Sequence, residues 1–303
     1  MYLTEQSGVR RQAMSTKLRL CWKEARPMVQ GIFALRFSCA TLLAGNHTNG
    51  VVWPMVAGVL GCWVAATWAI YLLNGVTDVA EDRENGSVRP IARGTLSVDQ
   101  AKSVVVALSG TAVTGAALIS PVVCLLVVLH LAVGIAYSTG PRPLKRSAPG
   151  SFGAVVALGG LTYLSGWYAG GATEIGPPLL LFGGTMALWM GFGGATKDLS
   201  DTAGDRIAGR RTLPVVLGDR VARRAMAIGA SAVGWGFLLT ALVWTPSIMP
   251  PAFVVCAGSI ALTVVVSSKV SRGERLRRRR PYGTFMITQY AAHLTLLVSL
   301  IFQ

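Results

Sequence analysis

The sequence predicts an all-α membrane protein of nine transmembrane helices, and three observations carry that prediction. Only 14% of its 303 residues are charged while 52% are hydrophobic, with a mean hydropathy of +0.53; soluble domains carry about 25% charged residues. Nine stretches approach the roughly 20 apolar residues that a helix needs to cross a bilayer. The Lys and Arg residues fall between those stretches in a one-sided pattern.

The nine segments are 28–45, 51–73, 101–119, 121–138, 151–171, 177–196, 222–244, 250–268 and 283–302. They are rich in Gly and Ala, which let helices approach closely where lipid supplies no hydrophobic drive. Of the 28 basic residues, six precede the first segment, and Arg83, Arg89, Arg93 and Lys102 lie between the second and the start of the third. Arg142, Lys145 and Arg146 follow the fourth, seven run from Lys197 to Arg224, and seven from Lys269 to Arg280. Arg36 falls deep inside a segment, Lys102, Arg223 and Arg224 sit at segment starts, and the other four connections contain none. By the positive-inside rule the basic side is the cytoplasm. The N-terminus and both acidic loops are then cytoplasmic and the C-terminus lies opposite. Residues 1–27 read as a cytoplasmic basic segment without the apolar run of a signal peptide, and 28–303 as one transmembrane domain.

The net charge of +15 is dispersed among apolar segments, which reports topology and argues against nucleic acid. The juxtamembrane run Arg277–Arg280 fits attraction to anionic lipid headgroups. Five scattered cysteines, with no CxxC, indicate neither a zinc site nor a disulfide framework. His130 and His293 lie in apolar segments and read as hydrogen-bonded core residues, while His47 sits on the side opposite the acidic loops. Arg36 either snorkels or faces a wet cavity. Trp53, Trp63, Trp68, Trp167 and Trp244 read as interface belts and helix packing. No obligate protein partner is evident.

Function is carried by the carboxylates. Seven of the 13 fall within two windows, 78–84 and 198–205. Asn74, Asp78 and Asp82 recur every fourth residue, which stacks them on one helical face. Asp198, Asp201 and Asp205 fall at i, i+3 and i+7, again one face. Like charges stacked this way repel unless a cation bridges them. Hard oxygen ligands suit Mg²⁺, which is commonly held by one or two carboxylates plus substrate phosphates. A diphosphate is the natural partner, because Arg83, Arg89 and Arg93 follow the first motif while Lys197, Arg206, Arg210 and Arg211 flank the second. A transporter with cation-binding acids is the competing class. Its sites sit near the bilayer midplane, whereas no proposed span here contains a carboxylate.

The stretch from Asn74 through Asp78, Asp82 and Arg83, followed by Arg89-Pro90-Ile91-Ala92-Arg93-Gly94, resembles the first signature of UbiA-type intramembrane prenyltransferases. Lys197, Asp198, Asp201, Asp205 and Arg206, continuing as Gly209-Arg210-Arg211-Thr212-Leu213-Pro214, resembles the second. Arg26-Pro27 and Tyr137-Ser138 with Leu144-Lys145-Arg146 are weaker matches. Gly75 departs from the pattern, since many members carry a second acid there. The resemblance implies a central cavity ringed by the nine helices, with a lateral opening to lipid and two Mg²⁺ between the motifs.

On that resemblance, Asn74, Asp78 and Asp82 are expected to hold one metal, and Asp198, Asp201 and Asp205 the other. Arg26, Lys145 and Arg206, with Arg83 and Lys197, are expected to bind the diphosphate. Tyr137 is expected to stabilise an allylic cation or position the acceptor. The expected partners are membrane lipid, a small acceptor and an isoprenoid diphosphate of roughly ten to twenty carbons, a chain length that partitions into lipid. An aromatic acceptor such as a hydroxybenzoate leads, a glyceryl phosphate ether or sugar phosphate is the alternative, and cyclisation of the same diphosphate is the third outcome.

Overall fold

A computed structural model describes residues 14–302 apart from 47 and 49, so the expectation for His47 lies outside the described residues. Helix α1 covers 14–24. After it come α2 (Pro27–Gly45), α3 (Trp53–Thr77), α4 (Val79–Glu84), α5 (Val98–Ile119), α6 (Pro121–Ser138) and α7 (Ala148–Ala169). A wide π turn, Leu179–Gly183, leads into α8 (Gly184–Ala195). The chain continues through α9 (Asp198–Ile207), α10 (Leu213–Trp244), α11 (Met249–Ser267), α12 (Arg275–Arg278) and α13 (Arg280–Ile301). Each of the nine predicted segments is largely helical.

Local sequence sets the helix starts. Proline occupies the first turn of α2, α3, α6, α7, α10, α11 and α13, where its missing N–H leaves no bond unmade. Ser97, Ser120 and Ser147 cap α5, α6 and α7 by accepting backbone N–H groups. Among the described residues, α2, α3, α5, α6, α10, α11 and α13 are long and apolar enough to cross a membrane. The α8 segment makes an eighth when joined to α9, which turns away from it by 62°. Helix α7 has the length, 22 residues, but five glycines dilute its apolarity. It sits between α2, α6 and α8, so its surroundings are largely protein.

Packing closes the helices into two rings that share the α2–α7 pair. One runs α2, α3, α6, α7 with α5 outside it, and the other α2, α7, α8, α10, α11, α13. The shared pair is tight because it lacks side chains where it touches. A Cβ on Gly166 would run into the Phe37 carbonyl, and one on Gly170 would lie 2.5 Å from the Thr41 carbonyl oxygen. Thr41 Oγ1 donates to the carbonyls of both Phe37 and Gly166 at 3.0 Å. Each ring has its own apolar core, around Phe37 and Trp63 in one and Phe182, Trp189 and Phe237 in the other.

Several buried polar side chains inside the bundle find partners, as burial demands. His130 Nε2 is 3.1 Å from Thr67 Oγ1, and His293 Nε2 is 2.7 Å from the Tyr163 hydroxyl, so both histidines are the hydrogen-bonded core residues expected. Trp63 is buried and donates to Thr162 Oγ1, whereas Trp53 and Trp244 are exposed. The arginine run also makes contacts within the protein. Arg278 reaches Asp219 at 2.7 Å, Arg279 lies over the Tyr282 ring, and Arg280 donates to the Val270 carbonyl. Three of its four members therefore have partners within the protein.

Two short acidic helices, α4 after α3 and α9 after α8, pack against each other. The Gly204 N–H donates to Asn85 Oδ1 at 3.3 Å, and any side chain at 204 would strike Asn85. This contact brings together windows that the sequence holds far apart.

Candidate active site

Asp78 sits where α3 ends. Its φ of −103° and ψ of 14° leave the helix, so the predicted continuous face is broken there and α4 starts afresh. The bonds from Asp78 N to the Asn74 carbonyl (3.0 Å) and from Asp82 N to the Asp78 carbonyl (2.8 Å) keep the three residues in succession. Asn74 Nδ2 donates to Asp78 Oδ2 at 3.0 Å. The other carboxylate oxygen accepts from Lys145 Nζ and Arg210 Nη2, each at 2.6 Å. Burial pushes the Asp78 carboxyl up, but Arg210 and then Lys145 outweigh it and hold the group below the usual carboxylate range. The same burial pushes the Lys145 ammonium down, against the pull of Asp78.

A backbone stitch places these two cations side by side. Arg211 N donates to the Arg146 carbonyl (2.7 Å) and Ala148 N to the Arg211 carbonyl (3.0 Å), forming an isolated parallel bridge between 147 and 211. Gly209, at φ +67°, makes the preceding turn out of α9. Arg210 also reaches Glu81 Oε1 at 3.2 Å and Asp205 Oδ1 at 3.9 Å. One guanidinium thus touches the first acidic motif twice and the second once.

On α9 the three predicted carboxylates have different surroundings. Asp198 lines the central cavity and, among the described residues, carries no ion pair. Asp201 is clamped by Lys197 (2.5 Å) and Arg275 (3.1 Å), and accepts from Ser200 Oγ. Asp205 accepts from Thr212 Oγ1 at 3.1 Å.

The cavity encloses about 560 Å³. Its lining includes Arg26, Asn74, Asp78, Lys145, Lys197, Asp198 and Arg210, all at or near helix ends, with Tyr137 and apolar walls such as Ile32, Ile70, Leu158 and Met190. Arg26 is the one non-glycine with positive φ (60°) among the described residues, a conformation that costs about 1–3 kcal/mol when held at a functional site. Arg36 does not snorkel. It is buried, donates from Nη2 to Gln289 Oε1 at 2.5 Å, and both residues line the cavity.

The remaining predicted residues lie elsewhere. Asp82 is held by Arg89 Nη1 at 2.6 Å, outside the lining. Arg83 is exposed and donates to the Ala92 carbonyl. Arg206 borders a separate cleft with Asp219, Arg275 and Arg278. In the sequence Arg210 is one of the basic residues flanking the second motif, and the glycine turn before it at Gly209 was the available signal of its place. Tyr282, which lines the cavity, and Arg275, which pairs with Asp201, lie too far along the chain for motif spacing to reveal them.

Among the described residues, no three carboxylate, His or Cys groups are close enough to hold a metal unaided. That suits an ion completed by substrate phosphates. Asn74, Asp78 and Asp198 offer hard oxygen donors to one cavity, flanked by cations that suit phosphate.

A sequence profile of the UbiA prenyltransferase family matches residues 34–288. The chain belongs to the UbiA prenyltransferase family. It is an integral membrane prenyltransferase. It is 30% identical over 282 residues to digeranylgeranylglyceryl phosphate synthase of Halobacterium salinarum, covering 82% of this chain and 92% of that protein. It is 26% identical over 271 residues to the chloroplastic homogentisate solanesyltransferase of Arabidopsis thaliana, covering 83% and 69% respectively. Its fold is similar to that of a UbiA homologue from Archaeoglobus fulgidus bound to GPP and Mg²⁺, with a TM-score of 0.70 at 19% identity over 93% of this chain and 99% of that one.

Proposed function

We propose that this UbiA-family enzyme uses two Mg²⁺ ions to transfer a prenyl group from an isoprenoid diphosphate to a small electron-rich acceptor, releasing diphosphate. The observation that carries this reading is that both acidic motifs reach one cavity: Asp78 and Asp198 line it, and Arg210 links Asp78 to Asp205. Bound Mg²⁺ supplies Lewis-acid stabilisation of the charge that develops on the leaving diphosphate. Asn74 and Asp78, with Asp82 behind them, hold one ion; Asp198, with Asp201 and Asp205 behind it, holds the other. Arg26, Lys145, Lys197 and Arg210 take phosphate oxygens, Arg through two donors and Lys as a point charge. Arg83 and Arg206, outside the lining, add positive potential.

The apolar walls receive the prenyl chain and keep water from the reactive carbon. Phe33, Tyr71, Tyr137 and Phe285 are among the aromatic residues of the lining, and aromatic faces stabilise a passing cation. The acidic helices lie on the cytoplasmic side with the N-terminus, and the C-terminus lies opposite.

An aromatic acceptor is supported by that lining and by similarity to a relative named for homogentisate. Transfer to a glyceryl phosphate is the second reading, favoured by the 30% identity to the Halobacterium salinarum protein. The purified enzyme is to be incubated with Mg²⁺ and geranyl, farnesyl or geranylgeranyl diphosphate, first alone, then with phenolic acids, then with a prenyl glyceryl phosphate. A prenylated ring supports the first reading and an ether lipid the second. A cyclic terpene from diphosphate alone makes the protein a cyclase. Failure to release diphosphate under every condition sinks all three.

A further inference from the structure

Glu24 is fully buried although it ends α1, a helix that carries Lys17, Arg19 and Lys23. Its carboxylate is held in a built pocket: Oε2 accepts the Ile91 N–H at 2.9 Å, and Oε1 lies 2.7 Å from Arg89 Nε. Arg89 donates to the Glu24 backbone carbonyl as well, from Nε (3.2 Å) and Nη2 (2.9 Å). Its remaining Nη1 grips Asp82 Oδ2 at 2.6 Å. Three segments therefore meet in one Glu24–Arg89–Asp82 chain.

The seat for this carboxylate is Gly75, the neighbour of Asn74. A Cβ built at 75 would collide with Glu24 Oε1 and lie 3.0 Å from its Cδ and 2.5 Å from Arg89 Nη2. Gly75 lies within α3, where a glycine costs roughly 1 kcal/mol against alanine, and its φ is not positive, so backbone conformation does not call for it. Space does.

We infer that Glu24 is a positioning residue of the metal site: it occupies the space left by Gly75 on α3 and, through Arg89, fixes Asp82 and hence the first Mg²⁺-binding motif. The inference rests on the reading that this motif binds Mg²⁺ with the diphosphate. Arg89 without Glu24 would face a single carboxylate and be free to draw Asp82 away from Asp78. Partners that orient a ligand from behind typically change metal affinity about tenfold to hundredfold when lost.

The test uses the full-length protein in detergent with geranyl thiolodiphosphate, a non-reacting analogue, and isothermal titration of Mg²⁺. Four forms are compared: wild type, Glu24→Ala, Gly75→Asp, and the double variant. Glu24→Ala is expected to weaken Mg²⁺ binding about tenfold or more while thermal stability without metal still shows a cooperative transition. Gly75→Asp alone is expected to weaken it too, because the new side chain collides with Glu24. The double variant, which returns a carboxylate to the same space from α3, is expected to recover to within about threefold of wild type, a residual that non-additive coupling of neighbours permits. Wild-type Mg²⁺ affinity in Glu24→Ala overturns the inference. So does a double variant no better than the worse single, a comparison that holds even if Glu24→Ala alone fails to fold. If the wild type itself binds the analogue without Mg²⁺ dependence, the functional reading fails instead, and the two failures are distinct.

Discussion

Arg210 Nη2 lies 2.6 Å from Asp78 Oδ1, a contact between residues 132 positions apart. It joins the segment after α9 to the end of α3, and with them the two acidic motifs. In a buried place such a pair stands only because Lys145 shares the same carboxylate oxygen and Glu81 and Asp205 share the guanidinium; an isolated buried ion pair gains little over its desolvation cost.

Arg210→Lys is therefore not a conservative change. An ammonium reaches one or two of the acids that the planar guanidinium spans. Loss of one charge-assisted hydrogen bond, about 1.5–3 kcal/mol, corresponds to about tenfold to hundredfold weaker diphosphate binding. Steady-state KM for the diphosphate at saturating Mg²⁺ measures it.

Asp198→Asn removes a carboxylate that carries no ion pair among the described residues. Mg²⁺-dependent turnover is expected to drop about a hundredfold or more. The melting temperature without metal is expected to stay level or rise, because repulsion from the other acids of α9 is relieved. Side-by-side melting and turnover assays separate the two effects.

The Asp78 carboxyl gives a pH signature. Arg210 and Lys145 overcome burial and hold it below its ordinary value, so its protonation favours the unfolded chain. Its contribution to stability is complete above the unfolded pKa of about 3.9 and is lost as pH falls through the lower folded value. The melting difference between wild type and Asp78→Asn is expected to be constant from pH 8 to about 5 and to shrink below about 4. A difference that already shrinks near neutrality contradicts the arrangement.

Gly166→Ala tests the bundle itself. The added methyl would press on the Phe37 carbonyl in the α2–α7 pair. Overpacking of this kind costs about 1–3 kcal/mol, read as a lower melting temperature of the detergent-solubilised protein. An unchanged melt would mean the pair is looser than described.

Much of this was legible in the sequence, and the reasons differ by level. Apolar length and the placement of Lys and Arg located the helices, because a bilayer imposes both. Spacing placed Asp198, Asp201 and Asp205 on one helix, which α9 bears out. Spacing was silent on which acids face the cavity: Arg89 holds Asp82, and Lys197 and Arg275 clamp Asp201, partners that only tertiary packing supplies. The helix break at Asp78 was equally hidden, since Val79–Glu84 is compatible with a continuous helix by composition alone. Glu24 carried no signal of its own within the basic segment 1–27, and only its contact at Gly75 gives it a place. The chain α7 needed the reverse correction, its glycines lowering apolarity while making its packing on α2 possible.

Both acidic motifs are proposed to hold divalent ions against one diphosphate. Mn²⁺ in place of Mg²⁺, with geranyl thiolodiphosphate bound, tests this most directly through phosphorus hyperfine coupling to the metal in electron paramagnetic resonance. The coupling is expected in the wild type and is expected to be altered or lost in both Asp78→Asn and Asp198→Asn. A coupling that is absent in the wild type, or that survives unchanged when either carboxylate is removed, contradicts a shared site.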